Sequence, residues 1–295
     1  MATTTDHSYN DKLVIGLYTA SVDKGPDAQC IGKWWQYQES FVEHLGINIK
    51  SIAGYCREKS TGLTDRLYSL KRSRSRFENQ INNGSLTWLN LQTMDTLPDG
   101  VLTSDWDYTS MFGILGTDHN AHIVYGFDMG LFNNITPQEL NRLIHGLIAD
   151  GFGFMDIKYG FCTIMPRNFL PGLYALGMGS SAAPEYLIRD ANAWTIAGKK
   201  QCDTIIRNVY GLQVLNSQHF KLQVGDQPFN EWVISSPRHG RLIECHEDTF
   251  LWSFRSNADD VAYLQWNASA VVHSMKELMG YDFFLSQTLW KKRIS

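Results

Sequence analysis

The chain has 295 residues, 43% of them hydrophobic and 19% charged, and a formal charge of −4 from 26 basic and 30 acidic side chains. This composition excludes a disordered chain, and its slight acidity removes the basic footprint of a general nucleic-acid binder or of a polybasic membrane-surface protein. No apolar run reaches the ~20 residues that span a bilayer, the first ten residues lack a basic and an apolar signal region, and five cysteines lie scattered without a Cys-x-x-Cys pair, so the expectation is a cytoplasmic protein with reduced thiols.

In chain order, Leu13–Tyr18 reads as a short apolar strand. Gly25-Pro26 marks a loop. From Lys33 the apolar positions Trp34, Trp35, Tyr37, Phe41, Val42 and Leu45 share a helical face, which Gly46 closes. Ile47–Cys56 is a second strand. A second helix is expected from Thr64 to about Asn82, with the stripe Leu67, Leu70, Phe77 and Ile81, and Leu86–Leu91 resumes as a strand. This alternation predicts helices packed on a sheet. Met111–Leu115 and His122–Phe127 read as a hairpin across a Gly-Thr-Asp-His-Asn loop.

The best-specified helix follows. Thr136 is placed to cap it, Pro137 takes the first helical position and Glu139 the third, the pattern of a capping box. Leu140, Leu143, Ile144, Leu147 and Ile148 supply a stripe of helical period. Phe152–Thr163 reads as an aromatic-rich strand. From Pro166, frequent Pro and Gly predict a long irregular connection. Beyond it come short helices near Ser217 and Asp226, a hairpin made by Arg241–Cys245 and Thr249–Arg255, and a long helix from Ser256 with the stripe Val261, Leu264, Ala268, Val271, Val272, Met275 and Met279. The fold class is α/β in the wider sense (α+β), a mixed β-sheet with helices packed on it and a faint hint of two similar strand–helix units. The domain reading is 1–165 as one unit and 166–295 as a second, packed together as one compact body.

Several clusters invite a chemical reading. Gly177-Met-Gly-Ser-Ser181 could offer amides and hydroxyls to an anion, but it lacks the Walker lysine and the Rossmann spacing, and the favoured reading is a tight connector. Asp118, His119 and His122 lie around the first hairpin loop, where polar residues are expected in any case. His239, Glu244, Cys245, His246, Glu247 and Asp248 surround the last hairpin, without a second ligand pair at matching spacing. No metal and no cofactor is expected. Lys71-Arg72-Ser-Arg74-Ser-Arg76 places Arg72 and Arg76 on one helix face, either the wet side of the helix or a contact for an acidic surface. Asp105-Trp106-Asp107, with Asp95 and Asp99 upstream, reads as paired carboxylates or as an aromatic, acidic recognition rim.

The C-terminal half also carries Pro171-Gly-Leu-Tyr-Ala175, Ile206-Arg-Asn-Val-Tyr210, Val214-Leu-Asn-Ser217, His219-Phe220, Glu231-Trp-Val233, Gly240-Arg-Leu242 and Leu251-Trp-Ser-Phe254. This pattern resembles immunity proteins of bacterial toxin systems, of the kind encoded beside type VI secretion or contact-dependent effectors. The resemblance implies a non-enzymatic inhibitor whose partner is a cognate toxin protein, blocked at its active site, and it carries over no catalytic residue. Under that reading the candidate contacts are Asp105, Trp106, Asp107, Arg72, Arg76, Glu244, Glu247 and Asp248. The enzymatic alternative is a hydrolase or transferase that sets Ser180 or Ser181 of the Gly177–Ser181 loop beside His119, His219 or His239.

Overall fold

The computed structural model describes residues 11–20, 25–56, 67–94, 106–115, 120–165, 171–178, 191–192, 194–195, 199–207, 210–224 and 227–253, and the structural statements below concern these. A ten-stranded sheet organises them. Its strands are β1 (Lys12–Tyr18), β2 (Ser51–Cys56), β3 (Tyr68–Ser69), β4 (Leu86–Gln92), β5 (Tyr108–Gly113), β6 (His122–Asp128), β7 (Tyr159–Met165), β8 (Leu212–Asn216), β11 (Arg241–His246) and β12 (Thr249–Ser253), in the spatial order β11-β12-β8-β7-β1-β6-β5-β4-β2-β3. A separate two-stranded ladder joins β9 (Gln223–Val224) to β10 (Gln227–Pro228). Every pairing is antiparallel, a narrower arrangement than the mixed sheet expected. The α+β class holds, with five helices packed on the sheet: α1 (Ala28–His44), α2 (Leu70–Asn82), α3 (Pro137–Gly151), α4 (Pro171–Leu176) and α5 (Phe229–Ser235). Strands from both sides of residue 165 belong to the one large sheet, where β7 pairs with β1 on one side and β8 on the other.

The central strands are buried at almost every position because both faces of the sheet are covered. Antiparallel sheets commonly leave one face wet and show alternation; all seven residues of β1 and all seven of β6 are buried instead. Leu13, Ile15 and Leu17 face a core shared with Trp34 of α1, Phe77 of α2 and Leu147 of α3. Val14 and Tyr18 face the opposite core, with Tyr174 of α4, Trp194, Ile206 and Trp232 of α5. Alternation of side chains across the strand makes the two sets.

The middle of the sheet also takes charge. Lys12 is fully buried on the first residue of β1, and its register partner on β6 is Asp128. The ammonium meets that carboxylate at 2.5 Å, donates to the Trp106 carbonyl at 2.8 Å and lies 4.4 Å from the centre of the Trp106 ring. On the same face, the fully buried Arg207 donates to the Tyr174 carbonyl at 3.1 Å, with the Tyr174 ring 4.1 Å and the Trp194 ring 5.2 Å away. A buried cation persists only with such partners, so these contacts tie residues 199–207 to α4.

Element ends differ from the sequence reading in ways with local causes. Helix α1 starts at Ala28, five residues before the expected Lys33, because the Asp27 side chain accepts the Cys30 N–H at 2.7 Å. Leu67–Ser69 opens into β3 before α2 begins. Residues 152–158 form a turn instead of a strand, with Phe154 plugging the space beside Tyr37 and Phe112 at 5.5 and 6.1 Å. The capping box at Thr136 forms as expected. Residues 256–279, expected as the long C-terminal helix, lie outside the described residues. No helix among the described residues is long and apolar enough to cross a membrane.

Candidate protein-binding surface

The structure places the described residues among the eight sequence-derived contacts far apart. Arg72 and Arg76 are exposed on α2, which packs over β2 beside one edge of the sheet. Glu244 lies on β11, the strand at the other edge, and Glu247 and Asp248 form the turn between β11 and β12. With neighbouring strands ~4.8 Å apart, the two groups are separated by on the order of 40 Å. A standard interface of roughly 800 Å² per partner does not cover both ends.

The groups also differ in what they are free to do. Within the basic run, Arg74 is held by Glu39 of α1 and reaches Glu78 at 3.8 Å. Arg76 lies 4.8 Å over the Tyr68 ring, a contact between the middle of α2 and β3. Trp106 does not stand on a surface: it is buried beneath Lys12, which corrects the reading of it as an exposed anchor. Asp107 is exposed beside it, while Asp105, Asp95 and Asp99 lie outside the described residues.

At the far edge, β11 is almost entirely solvent-exposed, five of its six residues being exposed and Leu242 half-buried. Its register with β12 shifts between Glu244 and His246, a bulge that bends the edge. Asp248 takes φ 54°, the left-handed conformation that Asp tolerates in turns. Among the described residues few large apolar side chains are exposed, and two of them flank this edge: Ile243 on the strand, 43% exposed, and Ile234 on the adjoining α5, 77% exposed. Sequence reasoning picked the acidic tip but missed both isoleucines. Their signal lies in the strand order, which makes β11 an edge, and no local pattern carries it.

The polar side chains near the tip have structural partners. His246 stacks flat on Phe152 with centroids 4.4 Å apart. The Cys245 thiol donates to the Thr249 carbonyl at 3.4 Å, and partial burial pushes it up to about 11, so it stays protonated at neutral pH. His239 stacks on Trp232 at 4.0 Å, and its Nδ1 lies 2.6 Å from the Trp232 carbonyl.

Of the enzymatic alternative, Ser180, Ser181 and His119 lie outside the described residues. His219 is fully buried and occupied on both ring nitrogens. Nδ1 accepts the Asn216 N–H at 3.0 Å, and Nε2 lies 3.0 and 3.1 Å from the Cys202 and Ile205 carbonyls. Two carbonyl acceptors at Nε2 define the neutral Nε2–H tautomer. Burial pushes its pKa down to about 4. His122 is also buried, accepts the Trp88 indole N–H at 3.1 Å and is held well below the usual histidine range by burial and by Lys199. Among the described residues no three His, Cys, Asp or Glu side chains come together to hold a metal ion.

One open cleft of about 540 Å³ lies between the start of α1 and the end of α2, lined by Pro26, Asp27, Tyr55, Asn82, Thr87 and Ile114 among others. Two of its polar groups are engaged locally: Asp27 caps α1, and the Thr87 hydroxyl donates to the Tyr55 carbonyl. Comparison of the chain with protein-family models, curated proteins and solved structures finds no match.

Proposed function

We propose that this protein is an immunity protein: it binds a cognate bacterial toxin in the cytoplasm and neutralises it by steric and electrostatic blocking of the toxin's active site. The observation that carries the reading is the exposed strand β11, which among the described residues has a strand neighbour on one side only. It joins exposed apolar side chains to an acidic turn, in a molecule whose described histidines are mostly committed to internal contacts. Recognition surfaces combine desolvated apolar anchors with charges that steer the encounter. Ile243 and Ile234 supply the first, and Glu244, Glu247 and Asp248 the second.

On the basic face of α2, Arg74 bonds Glu39 of α1 and Arg76 lies over Tyr68 of β3, so the acidic hairpin is the surface this reading favours. The test is co-purification of the chain with the product of the adjacent gene, using wild type and the combined variant Glu244→Lys, Glu247→Lys, Asp248→Asn. The asparagine keeps the left-handed turn residue accessible to the backbone. Wild type is expected to co-purify and the variant to lose the partner. Loss of binding in Arg72→Glu/Arg76→Glu, with the hairpin variant unaffected, would move the surface to the other edge.

A further inference from the structure

Among the described residues strand β11 pairs with β12 alone, and five of its six residues are exposed. Resting on the partner-binding reading above, we propose that the partner engages this edge by strand addition: an extended, basic segment of the partner pairs with Arg241–His246 as a further strand of the sheet.

An edge strand presents alternate N–H and C=O groups to whatever lies beside it, and an added strand takes its affinity from these main-chain bonds and its specificity from side chains on alternate positions. Six residues are enough for such a ladder, and the opposite edge, with two residues in β3, is too short. The side chains define the occupant. Arg241 stands at the start of β11, and three carboxylates, Glu244, Glu247 and Asp248, gather at its end. The partner segment therefore carries Lys or Arg beside the hairpin turn. On the face that carries α1, α2 and α3, Ile243 is paired with Leu251 and 43% exposed, so the same segment places an apolar side chain there. On the other face Ile234 of α5, 77% exposed, offers a second apolar contact to the flank of the added strand.

The probe is a synthetic ten-residue peptide with Lys at alternate positions and Val or Thr between them. Two controls accompany it: the same composition with two central prolines, and a version with Glu in place of Lys. Backbone hydrogen exchange of the full chain is followed with and without millimolar peptide. The expected result is slowed exchange confined to alternate amides of Arg241–His246, absent with the proline and Glu peptides. Affinity should fall about tenfold in Glu244→Lys/Glu247→Lys/Asp248→Asn, the combined effect of three exposed ion pairs.

No protection of β11 overturns the proposal. So does protection by the proline peptide, or protection that arises without peptide because two copies of the chain pair through β11. The outcome is separable from that of the functional reading. If the chain binds the neighbouring gene's product and the hairpin variant does not, while β11 stays unprotected by peptide, the surface stands and strand addition falls. If the peptide protects β11 but the gene product does not bind, strand addition stands and the toxin reading falls.

Discussion

Lys12 begins the central strand of the molecule, where a charge is expensive, and Asp128 lies opposite it in register. Removing one member of such a pair leaves the other uncompensated, whereas removing both costs less. Lys12→Met is therefore expected to destabilise the protein by about 3 kcal/mol, and Lys12→Met/Asp128→Asn to recover part of that loss in chemical denaturation, since Asn can still accept the Gly130 N–H that Asp128 binds now. Additive losses in the double variant would show that the two side chains are uncoupled. The histidine at 219 gives a pH signature. Its folded pKa of about 4 lies below the unfolded value near 6.5, so the unfolded chain takes up the proton first. Its contribution is complete above about pH 6.5 and is lost as the pH falls towards 4, about 2 kcal/mol of it between pH 7 and pH 5. The buried His122 acts in the same direction. His219→Gln should flatten the fall in stability on acidification; an unchanged slope would place the acid sensitivity elsewhere.

At the scale of elements, what the sequence reveals depends on whether the cause is local. The capping box of α3 was legible because Thr136, Pro137 and Glu139 lie within four residues and bond one another, Glu139 accepting the Thr136 N–H at 2.7 Å. Thr136→Ala should lower stability by about 1 kcal/mol, read as a drop in Tm. The start of α1 was also written locally, in Asp27, but the Trp34–Trp35 cluster drew the expected boundary further on. The turn at 152–158 was not legible. Its aromatic residues suit a strand, and they turn only because Phe154 finds its place beside Tyr37 and Phe112, contacts more than forty residues away in sequence. The last hairpin stood out from its alternation and turn residues. Its position at the edge followed from pairing with β8, which no local pattern announces.

For the whole molecule, ten strands in one sheet set the distance between the basic helix and the acidic hairpin, and so decide which of the proposed contacts belong to one surface. The sequence supplied the charged residues at both ends and the α+β class. It could not say that Trp106 would be roofed by Lys12, or that Ile234 and Ile243 would be left in solvent, because each depends on long-range packing. The sheet edge has a cost as well as a use, since an exposed edge strand is a template for aggregation. The charges on Arg241 and Glu244 and the bulge before His246 restrain that tendency. Replacing Arg241 and Glu244 with Thr should therefore promote concentration-dependent self-association, measured by light scattering; a variant that stays as monodisperse as wild type would show that these charges do not guard the edge.

The most direct measurement is growth of cells that express the adjacent gene's product together with this protein. Wild type and Arg72→Glu/Arg76→Glu should restore growth, and Glu244→Lys/Glu247→Lys/Asp248→Asn, present at the same level and with unchanged thermal stability, should not. Full protection by the hairpin variant, or none by wild type, would contradict the account.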